Sequence, residues 1–390
     1  MRHMHRNVWV LMIAGALGLC AAPAMVFVGG ILGSVLAPDP ELATLPIAAI
    51  IIGTAVSVIP VTRLMRRFGR KKVFLASSSF SALAAIGAAF TVSQQSFWGF
   101  NLCSFLLGSS LAVLQQYRFA AMESVVPEKI ASAASFTLLG GLISALLGPE
   151  LMHFGKDMFA TDFVGSFCLL ALVILMGGVC LVFYQPMQAH DEERGHEGRP
   201  LLTIMNSSVF WVAVLASAIG YAVMSFIMTA TPVSMHVMMG HTLEETKWVI
   251  QSHIFAMFLP SFFSGWLISV LGVRKLMFAG LFLYAICIAV ALTGQAVMHY
   301  WLGLVLLGLG WNFLFISGTV LLPGSYRMAE RFKVQGFNDF FVFGFQALAA
   351  LSSGLIVYNL GWNILLVLAL PLLLIQLIAI YCWKRTLNEG

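Results

Sequence analysis

The chain has 390 residues, of which 60% are hydrophobic and 9% are charged, and its formal net charge is +5. Soluble domains carry about 25% charged residues, so this composition excludes an ordinary soluble domain. It predicts an all-α membrane protein.

Twelve stretches of the chain are long and apolar enough to cross a bilayer, which takes roughly 20 residues per helix. In chain order they lie near 8–34, 45–64, 73–93, 96–117, 131–153, 163–184, 208–233, 247–270, 274–294, 298–321, 336–358 and 361–383. The first stretch follows Arg2 and Arg6 as a signal peptide would, but it has no convincing small-residue cleavage site before further spans begin. We therefore interpret it as a retained first span.

Lysine and arginine predict the orientation of these spans. With the N-terminus inside, 18 of the 21 Lys and Arg residues fall on the inner side, whereas only Lys156 and Lys247 fall outside and Arg118 lies near an inner helix end. This asymmetry follows the positive-inside rule. It places both termini in the cytoplasm and explains the net charge without nucleic acid as a partner.

A polar segment and an internal repeat divide the chain into two halves. Residues 185–202 are charged, contain Gly and Pro and lack apolar periodicity, so they indicate a cytoplasmic linker between six-helix bundles at 1–184 and 203–390. FGRKKVFLA at 68–76 recurs as LGVRKLMFAG at 271–280, and QYRFAAMES at 116–124 recurs as SYRMAERFK at 325–333. Both repeats keep the chain direction, which predicts parallel halves.

Two pairs of soft side chains lie on consecutive spans of the second half. Met224 and Met228 are four residues apart on the seventh span, and His253 and Met257 are four apart on the eighth. This spacing puts each pair on one helix face. Thioether and imidazole groups suit cuprous copper, although a buried methionine is most often core filler.

The depths of the two pairs match because the two spans run in opposite directions. At 1.5 Å per residue, Met228 and His253 lie roughly 8 and 9 Å below the outer helix ends, and Met224 and Met257 roughly 14 and 15 Å. The sequence therefore predicts two tiers of ligands facing the permeation path.

A second cluster of soft donors follows the seventh span in SMHVMMGH. It is predicted on the outer side and contains Met235, His236, Met238, Met239 and His241. We interpret it as a candidate site for capturing metal, with a methionine-rich surface turn as the alternative.

Polar residues elsewhere carry weaker predictions. Arg118 and Glu123, with Asn338 and Asp339, could form an inner gate or proton relay, or else structural ion pairs. A second set suits the wall of a cavity for a flat organic ring: Gln115, Gln116, Trp311 and Asn312. No P-loop or catalytic constellation occurs in the sequence, so we expect no enzyme and no ATP-driven pump.

The loops after the second and eighth spans resemble the signature G-x-L-a-D-R-x-G-R-K of the Major Facilitator Superfamily. The first loop keeps Arg67, Gly69, Arg70 and Lys71, and the second keeps Gly265, Leu267, Gly272, Arg274 and Lys275. Arg66 and Ser269 stand where the signature has its acid. The resemblance implies a fold of 12 transmembrane helices in two six-helix halves.

The paired Met and His motifs resemble those of the CcoA-like copper importers within this superfamily, at Met224, Met228, His253 and Met257. That resemblance implies a bacterial inner-membrane importer that supplies copper for maturation of the cbb3-type cytochrome c oxidase. Copper would then be cargo, expected as Cu(I), with no cofactor. The expected partners are membrane lipid and a cytoplasmic copper-accepting protein, and the expected state is a monomer. A related branch moves riboflavin, so import of riboflavin or another small organic solute stays open, as does a non-transporting membrane receptor.

Overall fold

The computed structural model describes residues 5–39, 42, 45–186 and 198–388, and these residues form helices and connecting turns without a β-strand. The α-helices are α1 (Arg6–Gly18), α2 (Ala21–Leu36), α3 (Leu45–Phe68), α4 (Arg70–Ser93), α5 (Phe97–Leu114), α6 (Tyr117–Met122), α7 (Ile130–Gly155), α8 (Val164–Val182), α9 (Leu201–Met205), α10 (Ser208–Pro232), α11 (Leu243–Phe258), α12 (Ser264–Leu271), α13 (Val273–Thr293), α14 (Val297–Leu321), α15 (Arg331–Leu360) and α16 (Trp362–Asn388).

Among the described residues, 11 helical segments are long and apolar enough to cross a membrane, or 12 if the bent pair α11 and α12 counts as one span. The protein is therefore a multi-pass membrane protein of the predicted all-α class.

The first predicted span is broken where the sequence suggested one helix over 8–34. Helix α1 ends at Gly18 and α2 begins at Ala21. Pro23 has no N–H to donate to the carbonyl of Leu19, so one bond of the helical ladder is missing at this point. A four-residue turn closes instead, in which Ala22 N–H donates to Leu19 O at 3.0 Å.

The eighth predicted span is also broken. Helix α11 ends at Phe258, a 3₁₀ turn covers Leu259–Phe262, and α12 continues at an angle of 55°. Pro260 removes the N–H that would have reached the carbonyl of Ala256. Met257, one of the predicted metal ligands, is therefore the last residue but one of α11 before the break.

The internal repeat has the same backbone in both copies. Gly69 has φ 81° and ψ 154°, and Gly272 has φ 79° and ψ 154°. This region is essentially restricted to glycine, which explains why each loop has glycine between two helices.

Contacts divide the chain into two units, the first comprising Met1–Gln188 with Gln335–Phe340 and the second Ala189–Val334 with Phe341–Gly390. Most of the predicted linker 185–202 lies outside the described residues. Its described end is anchored in the second unit, where Arg199 Nη2 lies 2.7 Å from Glu330 Oε2. Hydrogen bonding to this carboxylate raises the pKa of the Arg199 guanidinium.

In each unit, close helix packing depends on a glycine in the fourth span of that half, which is α5 in the first half and α14 in the second. In the first unit a Cβ at Gly108 would clash with the carbonyl of Ile50 on α3, and Thr54 Oγ1 donates to Gly108 O at 2.9 Å. In the second unit a Cβ at Gly308 of α14 would lie 2.7 Å from His253 O on α11. Small residues allow such approach between membrane helices.

Candidate substrate site

Helix α14 is the principal neighbour of both α10 and α11, which carry the four predicted ligands. On the α10 side, Tyr221 packs on Trp311 and Phe315, with ring centroids 5.2 and 5.0 Å apart, and Ser234 Oγ lies 2.6 Å from Tyr300 Oη. α10 and α14 therefore run antiparallel along this contact. The residues of α14 provide a common scale of depth for the two ligand-bearing helices.

This scale puts the four ligands at two levels. Interpolating between Tyr221 and Ser234 sets Met228 level with Leu306 and Met224 level with Gly310. The contact of Gly308 with both His253 O and Met257 N sets His253 level with Leu306 and Met257 level with Gly310. These contacts along α14 are compatible with two tiers of ligands, and the meeting of the four side chains at one site stays a prediction. The two helices reach these levels through their shared packing on α14.

His253 is fully buried, and its ring is oriented by one hydrogen bond. Nδ1 lies 2.8 Å from the carbonyl oxygen of Leu304 on α14. A carbonyl can only accept, so Nδ1 carries the proton and Nε2 of the neutral ring carries the lone pair. Nε2 has no hydrogen-bond partner among the described residues. Metal-ligating histidines commonly have this tautomer.

The three thioethers differ in exposure. Met224 and Met257 are buried, with exposed fractions of 3% and 8%, whereas Met228 is partly exposed. Ser225 Oγ lies 4.0 Å from Met224 Sδ, at the outer limit of a hydrogen bond to sulfur. The described residues contain no group of three or more His, Cys, Asp or Glu side chains able to hold a metal, so any metal in this part of the chain would depend on thioethers.

Asn312 holds the break between α11 and α12 and therefore the position of Met257. Its Nδ2 donates to Met257 O at 2.7 Å and to Ser261 Oγ at 2.8 Å, and its Oδ1 accepts from Ser264 Oγ at 2.7 Å. The sequence reasoning named Asn312 as a cavity residue and missed this role. The signal was Pro260, which interrupts the helical ladder just after Met257 and predicts that carbonyls near the break need other donors.

An aromatic cluster adjoins the same part of α14. Trp311 is fully buried and stacks on Phe315 at a centroid distance of 5.1 Å, and Phe258 contacts it from α11 at 5.6 Å. The amides proposed to line a cavity with Trp311 already have partners, because Asn312 holds the break and Gln116 Nε2 donates to Asp339 Oδ2 at 2.6 Å.

The predicted gate residues take part in two ion pairs within the first unit, one buried and one partly buried. Arg118 pairs with Asp339, and Arg70 Nη2 lies 2.6 Å from Glu123 Oε1. Gln335 joins the second pair by accepting from Arg70 at 2.7 Å and donating to Glu123 at 3.1 Å. The sequence analysis grouped Arg118 and Glu123 with Asn338 and Asp339 and missed Arg70 as a partner, although Arg70 belongs to the signature loop.

The SMHVMMGH cluster lies in a single π-helical turn, Val233–Met238, and the residues after it. Met235 is fully buried, whereas His236, Met238 and Met239 are exposed and His241 is partly exposed. Four of the five predicted capture residues are therefore accessible.

Residues 8–246 match the Major Facilitator Superfamily. This match covers more than half of the sequence. The chain belongs to the Major Facilitator Superfamily. It is 37% identical over 376 residues to the riboflavin transporter RfnT of Brucella anthropi, covering 96% of this chain and 94% of that protein. It is also 30% identical to an uncharacterized superfamily transporter of Bacillus subtilis, YdeG, covering 97% of this chain and 92% of that protein.

Solved structures of superfamily members share the fold. A bacterial homologue of the iron transporter ferroportin in its outward-facing state has a TM-score of 0.73 at 15% identity, covering 98% of this chain and 100% of that one. The Escherichia coli fucose:proton symporter FucP has a TM-score of 0.70 at 16% identity, covering 98% and 99%. At these identities the likeness shows the fold alone. With the sequence relatives, it identifies the protein as a transporter of this superfamily.

Proposed function

We propose that this transporter imports copper as Cu(I), with Met228 and His253 as the first tier of ligands and Met224 and Met257 as the second. The observation that carries the proposal is the buried lone pair of His253 Nε2, fixed by Leu304 and without a hydrogen-bond partner among the described residues. An unsatisfied polar atom in a membrane protein interior is costly unless a ligand uses it. A soft monovalent ion meets that need.

The tiers suit passage of an ion as well as binding. Cu(I) accepts few ligands and prefers thioether and imidazole donors, so an ion could keep one tier while it gains the next. Both tiers are uncharged, and release does not require separation from a carboxylate. Inward movement of one positive charge gains about 2.3 kcal/mol per 100 mV of inside-negative potential.

The cellular setting is part of the same proposal. The charge asymmetry favours both termini in the cytoplasm, and the resemblance to CcoA-like importers implies a bacterial inner membrane. There, imported copper would pass to a cytoplasmic acceptor protein and serve assembly of the cbb3-type oxidase. The transporter would act as a monomer.

Riboflavin is a second candidate substrate. It is supported by the 37% identity to the riboflavin transporter across nearly the whole of both chains. An aromatic cluster suits a flat ring system, and Tyr221, Trp311 and Phe258 supply one beside the same stretch of α14. A non-transporting receptor has no comparable support.

Uptake of radioactive copper and of labelled riboflavin into cells that carry the protein separates these candidates. We expect copper uptake by the wild type, and its loss in Met228→Leu and His253→Asn. Leucine keeps the volume of methionine at a cost under ~1.5 kcal/mol. Asparagine retains an N–H near the position of Nδ1 for Leu304 O but has no counterpart of Nε2.

Met25→Leu is the matched control, because Met25 is fully buried in the core of the first unit. Met277 is less suitable, since its sulfur lies 3.9 Å from Gln376 Nε2. Uptake of riboflavin without copper by the wild type would refute the copper proposal. Copper uptake that survives loss of all four ligands would refute it too.

A further inference from the structure

The segment from Val233 to His241, here the 233–241 turn, has a defined shape. Met239 N–H donates to Ser234 O at 3.1 Å, and His241 N–H donates to Met235 O at 3.0 Å. Gly240 has φ 73°, which lets the chain reverse without strain. Ser234 Oγ and Tyr300 Oη, 2.6 Å apart, join the turn to α14. The turn is thus ordered before any ligand arrives.

The ring of His236 is held in one tautomer by the turn itself. Its Nδ1 lies 2.7 Å from the carbonyl oxygen of His241. Because that oxygen only accepts, Nδ1 carries the proton, and the lone pair of the neutral ring is on Nε2 of an exposed side chain. His241 is held in turn, with Nε2 2.8 Å from Gln295 O and its ring 5.9 Å from that of Tyr300.

Two thioethers occupy the same closed loop of chain. Met238 is 36% exposed and Met239 is 47% exposed, whereas Met235 is fully buried and belongs to the core. Because Met238 and Met239 are exposed, they contribute less to packing than a buried methionine does. They follow His236 by two and three residues. They supply soft donors at the surface.

We propose that the 233–241 turn binds one Cu(I) ion through His236 Nε2 and the thioethers of Met238 and Met239. His241 is a positioning residue, because its carbonyl orients His236. The donor set selects Cu(I), since Zn(II) favours thiolate, imidazole and carboxylate ligands. The function of this site rests on copper being the cargo: it captures the ion beside α10, the helix that carries Met228.

The first test measures metal binding apart from transport. The starting protein is the purified full-length variant with Met224, Met228 and Met257 changed to Leu and His253 changed to Asn. We expect this variant to bind one equivalent of Cu(I), as measured by competition with a chromophoric chelator. Adding His236→Ala and Met239→Leu should weaken that binding by about tenfold or more. Met158→Leu, at a methionine that is 58% exposed in the first unit, is the matched control and should bind as before.

Zn(II) added to the same variant, which lacks the four ligands of α10 and α11, should not compete with Cu(I). The proposal is overturned if the variant binds no Cu(I), if His236→Ala with Met239→Leu leaves its affinity unchanged, or if Zn(II) displaces copper. Elution volume and thermal unfolding of each variant check that it is folded. These outcomes do not depend on whether the protein transports copper, so the binding site and the proposed function can fail separately.

A second test connects the turn to uptake. In the otherwise wild-type protein, His236→Ala with Met239→Leu should raise the KM for copper by about tenfold and leave the maximal rate unchanged. A capture site acts only when the ion is scarce. A fall in the maximal rate of about tenfold, with the KM unchanged, would contradict a capture role.

Discussion

At His253, the hydrogen bond to Leu304 O decides which ring nitrogen is available to a ligand. The residue is fully buried, and among the described residues nothing else satisfies Nε2. His236 shows the same arrangement on an exposed side chain, where the acceptor is the carbonyl of His241. In both places a backbone carbonyl fixes the tautomer, which is how proteins commonly prepare histidine for metal binding.

Arg118 and Asp339 provide a residue-scale prediction about stability. Both side chains are buried, with exposed fractions of 3% and 0%, and Asn338 and Gln116 complete the hydrogen bonds of the carboxylate. Asp339→Asn leaves the Arg118 charge without its counter-ion, which should cost about 3–5 kcal/mol. Thermal and denaturant unfolding in detergent would measure this loss.

Replacing both partners tests whether charge is the cause. Arg118→Met with Asp339→Leu should recover most of the lost stability, since apolar groups of similar size often replace a buried ion pair without loss. Asp162→Asn is the control, because Asp162 and Lys156 are exposed, 3.9 Å apart, and such pairs contribute about 0–1 kcal/mol. Wild-type stability in Asp339→Asn would mean that Asp339 is already protonated.

At the scale of the helices, α14 sets the geometry of the site because α10 and α11 both pack along it. Gly308 is the closest point of this packing: a Cβ there would lie 2.7 Å from His253 O and 2.9 Å from Met257 N. These are backbone atoms, which cannot rotate away as a flexible side chain can. The contact therefore fixes the height of both ligands of α11.

Gly308→Ala should displace α11 and impair transport at copper concentrations that saturate the wild type. The measurement is initial uptake rate, with expression and thermal unfolding recorded in parallel. Gly354→Ala is the control, because a Cβ at Gly354 of α15 meets nothing within 4 Å. Equal rates in Gly308→Ala and Gly354→Ala would show that the α11–α14 contact does not govern the site.

The break between α11 and α12 leads to another prediction at this scale. Asn312→Leu leaves Met257 O and Ser261 Oγ without their described donor, whereas Ser264 Oγ keeps Pro260 O as an acceptor. Each unsatisfied buried group costs about 1–3 kcal/mol. We expect a lower midpoint of unfolding and slower transport, both measurable on the same preparation.

The matched control for this change is Asn101→Leu. Asn101 is also buried in a spanning helix, but its amide donates only to Phe97 O, four residues earlier, and its Oδ1 has no hydrogen-bond partner among the described residues. Asn101→Leu should therefore lower the stability of the protein much less than Asn312→Leu does. If the two variants unfold alike, the network around Asn312 does not stabilise the break.

At the scale of the whole molecule, the distribution of Lys and Arg predicts the orientation in the membrane. A C-terminal fluorescent protein should fold and fluoresce, and a C-terminal alkaline phosphatase should be inactive, because both termini are expected in the cytoplasm. Phosphatase inserted between α7 and α8, beside Lys156, should be active. The reverse pattern would invert the proposed direction of transport.

The sequence by itself determined the membrane class and the approximate positions of the spans, and it predicted the depth of the candidate ligands. Each follows from short-range rules: span length follows bilayer thickness, and a rise of 1.5 Å per residue converts position into depth. Met228 and His253 could therefore be assigned to one level from residue numbers alone. The sequence repeat also places Gly69 and Gly272 at the same position of the two loops, and the φ near 80° at both explains why glycine occurs there.

Only the tertiary structure decided which residues meet across the chain. Spacing along one helix does not reveal that Arg118 pairs with Asp339, that Arg70 pairs with Glu123, or that Asn312 donates to the carbonyl of Met257. Composition likewise gave no reason to separate buried Met235 from exposed Met239. These outcomes depend on how helices distant in sequence pack together, and close packing is specified by the shapes of all the partners at once rather than by any local pattern.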